Sequence, residues 1–230
     1  MKHRRCLLIG NSRWHWAEHA SNRWTFHHTP PDPSAVGLSA PHIEAWAAVG
    51  VLPANTALDP RRRLKSADVP LRCLPPWLGV DRAFAAWGAL QQQQASGSCR
   101  QGLLVADAGT VLSLTRVMAD GGFAGGQLVP GLRLQLQAMS EGALLLSDPG
   151  PILKQLEFFP LSTAAAMQQG ALQALIGVIE QAQRQADQPL WLCGGDGPVL
   201  SEPLRQRGVP FSHSPELVLQ GMVNVLERLS

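Results

Sequence analysis

The segment that most limits what this chain can fold into is Asp107-Ala108-Gly109-Thr110. It ends one apolar run, Gly102-Leu103-Leu104-Val105-Ala106, and opens another, Val111-Leu112-Ser113-Leu114. A strand, a turn bearing an acid and a glycine, a hydroxyl and a returning strand make a hairpin whose tip can offer backbone N–H groups to a phosphate. The N-terminus carries a partial echo, with Cys6-Leu7-Leu8-Ile9 running into Gly10-Asn11-Ser12-Arg13 and on into Trp14-His15-Trp16-Ala17. One such turn is equally an ordinary hairpin capped by its Asp. Two in one chain imply related half-domains facing one ligand.

The chain has 230 residues, 45% hydrophobic and 16% charged, enough for one large domain or two small ones with a real core. Its net charge of +2 gives no electrostatic basis for nucleic-acid binding. The one basic run, Arg61-Arg62-Arg63-Leu64-Lys65, reads as a solvated loop because no second cluster or interleaved aromatic accompanies it. Cys6, Cys73, Cys99 and Cys193 are scattered without metal-ligand spacing and read as reduced thiols. No apolar run approaches the ~20 residues of a membrane-spanning helix, and the N-terminus does not read as a signal peptide, so a cytoplasmic location is expected.

Short strands are expected at Arg5 to Ile9, Arg13 to Ala17 and Arg23 to His27, then a loop from Pro30 to Pro41 and a buried strand over Trp46 to Val51. Asp59 to Pro76 reads mostly as loop. Val80, Phe84, Trp87 and Leu90 recur at helical spacing, which predicts a helix over Leu78 to Gln94. The polar stretch Gln91 to Arg100 marks the boundary between half-domains 1–98 and 99–230. Beyond it, a hairpin leads to a helix after Pro130. The longest helix follows from Ser162 or Thr163 to about Arg184, then a strand at Leu190 to Cys193, a helix from about Pro198 to Arg207 and a last helix from Pro215 to Leu229. This order suits an α/β fold of two halves packed across a cleft.

Glycine at the tip of a strand-turn-strand lets backbone N–H groups converge on phosphate oxygens, and Thr110 and Ser12 can each add a hydroxyl. Asp107 repels a phosphate, so its carboxylate makes sense as ligand to a cation, or to water on a cation, lying against the phosphates. Neither a Walker A sequence nor G-x-G-x-x-G after a strand is present. Leu78-Gly79-Val80-Asp81-Arg82 opens a helix, where a carboxylate interacts well with the helix dipole. The adjacent Arg82 allows more: Asp81 could deprotonate a hydroxyl while the guanidinium holds an anionic group. In Cys193-Gly194-Gly195-Asp196, two glycines after a strand allow a flat ring to approach the backbone.

In order, these pieces resemble the type III pantothenate kinase family, a branch of the actin, Hsp70 and sugar-kinase fold. The matching segments are Ile9-Gly10-Asn11-Ser12, Gly79-Val80-Asp81-Arg82, Asp107-Ala108-Gly109-Thr110, Gly125-Gly126 with Pro130-Gly131-Leu132, Thr163 followed by Ala166-Met167 and Gly170, and Gly194-Gly195-Asp196. The resemblance implies two actin-like (ribonuclease-H-like) ATPase half-domains and transfer of the γ-phosphoryl of ATP to the 4′-hydroxyl of pantothenate, the first step towards coenzyme A. By the same resemblance Asp81 is the general base, and Gly79, Val80, Asp81, Arg82 and Thr163 bind pantothenate. Gly10, Asn11, Ser12, Arg13 and Thr110 contact ATP, with Gly194 and Gly195 expected to face its base. Asp107 is implied as ligand of an activating potassium or ammonium ion, with Mg²⁺ accompanying ATP and a homodimer as the working form.

Leu8 stands where many such relatives carry Asp, so Asp107 is left to supply the cation-facing charge. Arg72 stands where they often carry Tyr. His15, His19, His27 and His28 lie close in sequence, but strand alternation is expected to scatter them. Two rivals are a kinase or phosphohydrolase for another small hydroxy acid, sugar or polyphosphate, and a nucleotide-binding regulator without turnover.

Overall fold

β1 (Arg4–Ile9) lies inside the first sheet because Cys6 to Ile9 are apolar on both faces and all buried. β2 (Trp14–Ala20) and β3 (Arg23–Thr29) follow as antiparallel neighbours, and β4 (Ile43–Ala48) joins the free side of β1 in parallel. The order is therefore β3-β2-β1-β4. The chain is described by a computed structural model covering residues 4–39, 42–52, 54, 56–97, 101–153 and 156–229. Cys99 and part of the expected boundary segment lie outside the described residues.

Ser21 and Asn22 join β2 to β3 with φ of 51° and 61°. Positive φ at both central residues is the primed turn whose twist matches that of the strands it connects. The proline-rich stretch read as loop contains a helix, α1 (Pro33–Ser39). Pro33 begins it with φ already near the helical value, and Asp32 accepts from the Ser34 N–H at 2.9 Å and from its hydroxyl at 2.5 Å. The strand expected at Trp46 to Val51 lies earlier, at Ile43–Ala48, where its register with β1 buries Ile43, Ala45, Trp46 and Ala47. After two 3₁₀ turns (Pro60–Arg62 and Ser66–Asp68) comes α2 (Val80–Ala95), in which Ala83 to Leu90 are all buried.

β5 (Leu103–Ala108), β6 (Val111–Val117) and β7 (Phe123–Pro130) form the second meander, and β8 (Leu190–Cys193) joins β5 in parallel, followed by a two-residue strand, β9 (Ser212–His213). The order β7-β6-β5-β8-β9 repeats that of the first sheet with one strand added. α3 (Leu132–Gly142) and α4 (Thr163–Ala186) connect β7 to β8, and α5 (Gly197–Gln206) connects β8 to β9. Their apolar residues, including Leu136, Leu172, Ile176, Ile179 and Leu200, enclose the core over Leu104, Ala106, Leu112 and Leu114. Ser162 caps α4 by accepting from the Ala165 N–H, and Asp187 closes it in the left-handed region.

Contacts divide the chain into one unit of Met1–Arg100, Ala119–Phe123 and Glu216–Ser230, and a second of Gln101–Met118 and Ala124–Pro215. The last helix, α6 (Leu217–Leu229), which the sequence places with the second half, therefore packs in the first. The cause is a backbone-to-backbone crossing with α2. A Cβ at Gly88 would lie 2.6 Å from the Leu217 carbonyl oxygen, and one at Gly221 would collide with that of Phe84. Gly221→Ala is expected to lower stability by about 2 kcal/mol, overpacking outweighing the gain in helix propensity, as read from the denaturant midpoint. Gly170→Ala, with open space around it, is expected to hold or raise that midpoint.

Candidate active site

In the first unit, the β1–β2 connection closes on itself through the Gly10 N–H donating to the Arg13 carbonyl oxygen at 3.0 Å. Asn11, Ser12 and Arg13 are exposed along its rim. The chain leaving β4 lies flat against this turn. Val49 and Gly50 both donate to the Ile9 carbonyl oxygen, at 3.0 and 3.4 Å, and a Cβ at Gly50 would be 2.8 Å from that of Gly10. Only glycine fits there. Leu8 is buried in β1 opposite His15, so no carboxylate reaches the turn from that position.

The same β4 exit touches the start of α2. A Cβ at Gly79 would be 3.8 Å from the Val49 side chain and 2.5 Å from Asp81 Oδ1, so glycine at 79 is what leaves the carboxylate its room. The Ser66 hydroxyl donates to the Leu78 carbonyl oxygen at 2.6 Å and holds the approach to the helix. Asp81 lies in the first helical turn, half-buried, with its Oδ1 accepting from the Arg82 N–H at 2.8 Å. Burial pushes the Asp81 carboxyl above its ordinary range, and it outweighs the opposing pull of the Arg82 N–H and guanidinium. Arg82 is itself buried, which lowers its pKa against the pull of Asp81. A carboxylate of raised basicity beside a fixed cation can accept a proton from a hydroxyl. Val80, at the first position of α2, is buried.

In the second unit, Asp107 is half-buried near the end of β5, ahead of the three residues Gly109 to Val111 that join the last strand pair, Ala108 and Leu112. Gly131 donates to the Thr110 carbonyl oxygen at 2.9 Å, and a Cβ there would be 2.7 Å from that oxygen and collide with that of Gly109. Gly194, with φ of +87°, lies on the other side, where a Cβ would collide with the Ala108 carbonyl oxygen and come within 2.5 Å of Asp107 Oδ1. The Asp196 N–H donates to that same Ala108 oxygen at 2.8 Å. By contrast nothing lies within 4 Å of a Cβ at Gly109 or Gly195, so the chain is open on that side at both. The two units thus repeat one device, a strand-turn-strand with a parallel neighbour whose terminal glycine lies on the turn.

Thr163 is exposed at the first position of α4. Gly50 was not legible as part of a site, although Ala47-Ala48-Val49-Gly50 follows the same strand-then-glycine pattern as Leu192-Cys193-Gly194. The histidines are a correction. The β2–β3 register sets His15 directly opposite His28 on one face, with Nδ1 atoms 2.8 Å apart, because the two-residue turn at Ser21-Asn22 fixes the pairing. Arg72, exposed, pairs with Asp120 at 2.9 Å, a surface contact of little energetic weight. Among the described residues no group of three or more His, Cys, Asp or Glu is placed to hold a metal, and no helix is long and apolar enough to cross a membrane.

A family model described as type III pantothenate kinase matches residues 63–185. A type III pantothenate kinase of Synechococcus sp. (strain JA-3-3Ab) is 35% identical over 233 residues, covering 94% of this chain and 88% of its own. Another, from Thermosynechococcus vestitus, is 34% identical, covering 86% and 80%. Among solved structures the chain is similar to a conserved Baf family protein of Campylobacter jejuni, with a TM-score of 0.64, 16% identity and 98% of each chain covered. It is similar also to a glucokinase of Balamuthia mandrillaris in complex with glucose, with a TM-score of 0.58, 13% identity and 98% and 94% covered. At these identities the structural likeness establishes the α/β sugar-kinase, actin-like fold.

Proposed function

The chain belongs to the type III pantothenate kinase family, and from that premise we propose that it transfers the γ-phosphoryl group of ATP to the 4′-hydroxyl of pantothenate, the first step towards coenzyme A. The observation that carries this reading is Asp81: a carboxylate of raised basicity, held by the Arg82 N–H at the start of α2 in the space that Gly79 leaves. The 4′-oxygen forms its bond to the γ-phosphorus as the bond to the β-phosphate oxygen breaks. The hydroxyl proton passes to Asp81, and ADP leaves. Phosphoryl transfer asks little covalent work of protein groups, so positioning and charge neutralisation dominate. Gly79, Val80, Arg82 and Thr163 bind pantothenate, with Arg82 facing its carboxylate. Gly10 to Arg13 and Thr110 hold the ATP phosphates, and Gly194 and Gly195 admit its base.

Among the described residues no cluster of ligands is placed to cage a metal, and Mg²⁺ would fit here as an ion carried by ATP and water, which normally needs one or two carboxylates at most. Asp107, beside the Ala108 and Gly194 backbone, is the carboxylate in place for it or for a potassium or ammonium ion. A cation there neutralises phosphate charge. Asp107→Asn is expected to weaken the dependence of turnover on potassium or ammonium, measured as a cation titration at saturating Mg²⁺ and ATP; an unchanged response removes Asp107 from that role. By the same family likeness the working form is a homodimer.

Release of ADP coupled to pantothenate in the presence of ATP, Mg²⁺ and potassium tests the reaction, beside a panel of small hydroxy acids and sugars. Buried Leu8, in place of a carboxylate at the first turn, favours one other reading, a nucleotide-binding regulator. That reading requires ATP binding without ADP release and no growth rescue of a strain lacking pantothenate kinase.

A further inference from the structure

We infer that His15 is a phosphate-binding residue of the β1–β2 turn, and that the proton on His28, whose Nε2 is held by Glu216, decides whether His15 offers the phosphate a donor. The inference deepens the kinase reading and rests on it for the nature of the ligand. His15 on β2 and His28 on β3 are directly opposed, their rings edge-on at 4.9 Å and their Nδ1 atoms 2.8 Å apart. His28 Nε2 lies 3.2 Å from Glu216 Oε1, just ahead of α6. The far nitrogen of His15, Nε2, lies against the turn, 3.0 Å from where a Cβ on Gly10 would stand. His15 is half-buried, and its Nε2 is not among the buried side-chain polar atoms without a partner, which among the described residues are Trp87 Nε1 and Glu216 Oε2.

The tautomers follow from counting protons. Burial pushes the His15 pKa down to about 4, with His28 and then Arg13 adding to the effect, so near neutrality the ring carries one N–H. Glu216 accepts from His28 Nε2–H whether or not His28 is charged. When His28 is neutral its Nδ1 is a lone pair, His15 must donate from its own Nδ1, and His15 Nε2 turns a lone pair towards the phosphates. When His28 is charged its Nδ1–H donates, His15 accepts at Nδ1, and the proton of His15 moves to Nε2, where it is a phosphate donor. The charged groups bearing on the pair are Arg13 from the turn and Glu216 just ahead of α6. Glu227, at the far end of α6, is engaged by Trp24 Nε1 at 2.8 Å, and on β1 the residue opposite His15 is Leu8.

The test is calorimetric titration of the full chain with a non-hydrolysable ATP analogue at about pH 6 and about pH 8.5, for wild type, His15→Leu, His15→Gln and His28→Asn. Wild type is expected to bind about tenfold more weakly at the higher pH, beyond the change that His15→Leu shows, which is the analogue's own phosphate titration. His15→Leu is expected to bind about tenfold more weakly at the lower pH. His15→Gln, with an amide N–H to offer at either pH, is expected to restore binding without the extra slope, and His28→Asn to abolish that slope. Tight binding by His15→Leu at the lower pH, or a wild-type slope in His28→Asn, overturns the inference. Should His15→Leu not fold, His28→Asn on the exposed strand decides alone. Wild type that shows this binding pattern but does not phosphorylate pantothenate overturns the kinase reading only. Wild type that phosphorylates pantothenate without the extra pH slope overturns only the role of the histidines.

Discussion

Replacing Asp81 by Asn is expected to lower kcat by about 10²–10⁴, the usual worth of a general base, without lowering the melting temperature. Both halves follow from the position of the carboxylate. Asn keeps the oxygen that accepts from the Arg82 N–H at 2.8 Å and fits the same space beside Gly79, but it takes no proton from a hydroxyl. Burial raises the Asp81 pKa in the folded chain above its value in the unfolded one. A carboxyl shifted in that direction contributes stability below its unfolded pKa, and the contribution is lost as pH rises through the folded pKa. At neutral pH the ionised Asp81 therefore works against folding, and removing its charge holds or raises stability. A melting temperature several degrees lower would mean that lost activity reports lost structure, and near-normal turnover would remove Asp81 from the chemistry.

The same shift gives a pH limb. Activity that needs ionised Asp81 is present above the folded pKa and falls as pH drops through it, so the acid limb of kcat/KM should lie above the ~4 of an ordinary Asp. The residual activity of Asp81→Asn should lack that limb, since an amide does not titrate in this range.

What the chain revealed before its structure was what neighbours in sequence decide. The two hairpins were legible because apolar runs and turn residues are local, and α2 was legible because Val80, Phe84, Trp87 and Leu90 repeat at helical spacing. α1 was missed since proline content outweighed the cap that Asp32 and Pro33 form together. The place of α6 was missed because it depends on Gly88 meeting Gly221, two glycines that nothing local pairs. Gly50 and the His15–His28 pair were missed for the same reason: each is set by strand pairing and register, which bring together groups that sequence patterns treat separately. The acid and the two glycine turns were visible as motifs, whereas the glycines that pack against those turns became visible only in three dimensions.

The second large effect is expected from Gly131→Ala, set against Gly109→Ala as its control. A methyl at 131 meets the Gly109 and Thr110 carbonyl oxygens, both backbone atoms, so the Gly131 N–H bond to Thr110 must stretch and the Asp107–Thr110 turn must shift. Overpacking of this kind costs about 1–3 kcal/mol. Displacement of a binding turn by about 1 Å can cost about 10²-fold, which is the rise expected in the KM for ATP. A methyl at 109 meets nothing in the protein, and Gly109 is not among the glycines of positive φ, so stability should hold within about 0.5 kcal/mol. The KM for ATP should nonetheless rise about tenfold or more in Gly109→Ala, because phosphates approaching the bare backbone would meet the new Cβ. That combination, unchanged melting with weakened ATP, comes only from a ligand at this turn. Gly109→Ala with both quantities unchanged would place the phosphates elsewhere, and Gly131→Ala with a normal KM would show that the geometry held by Gly131 is not what binds them.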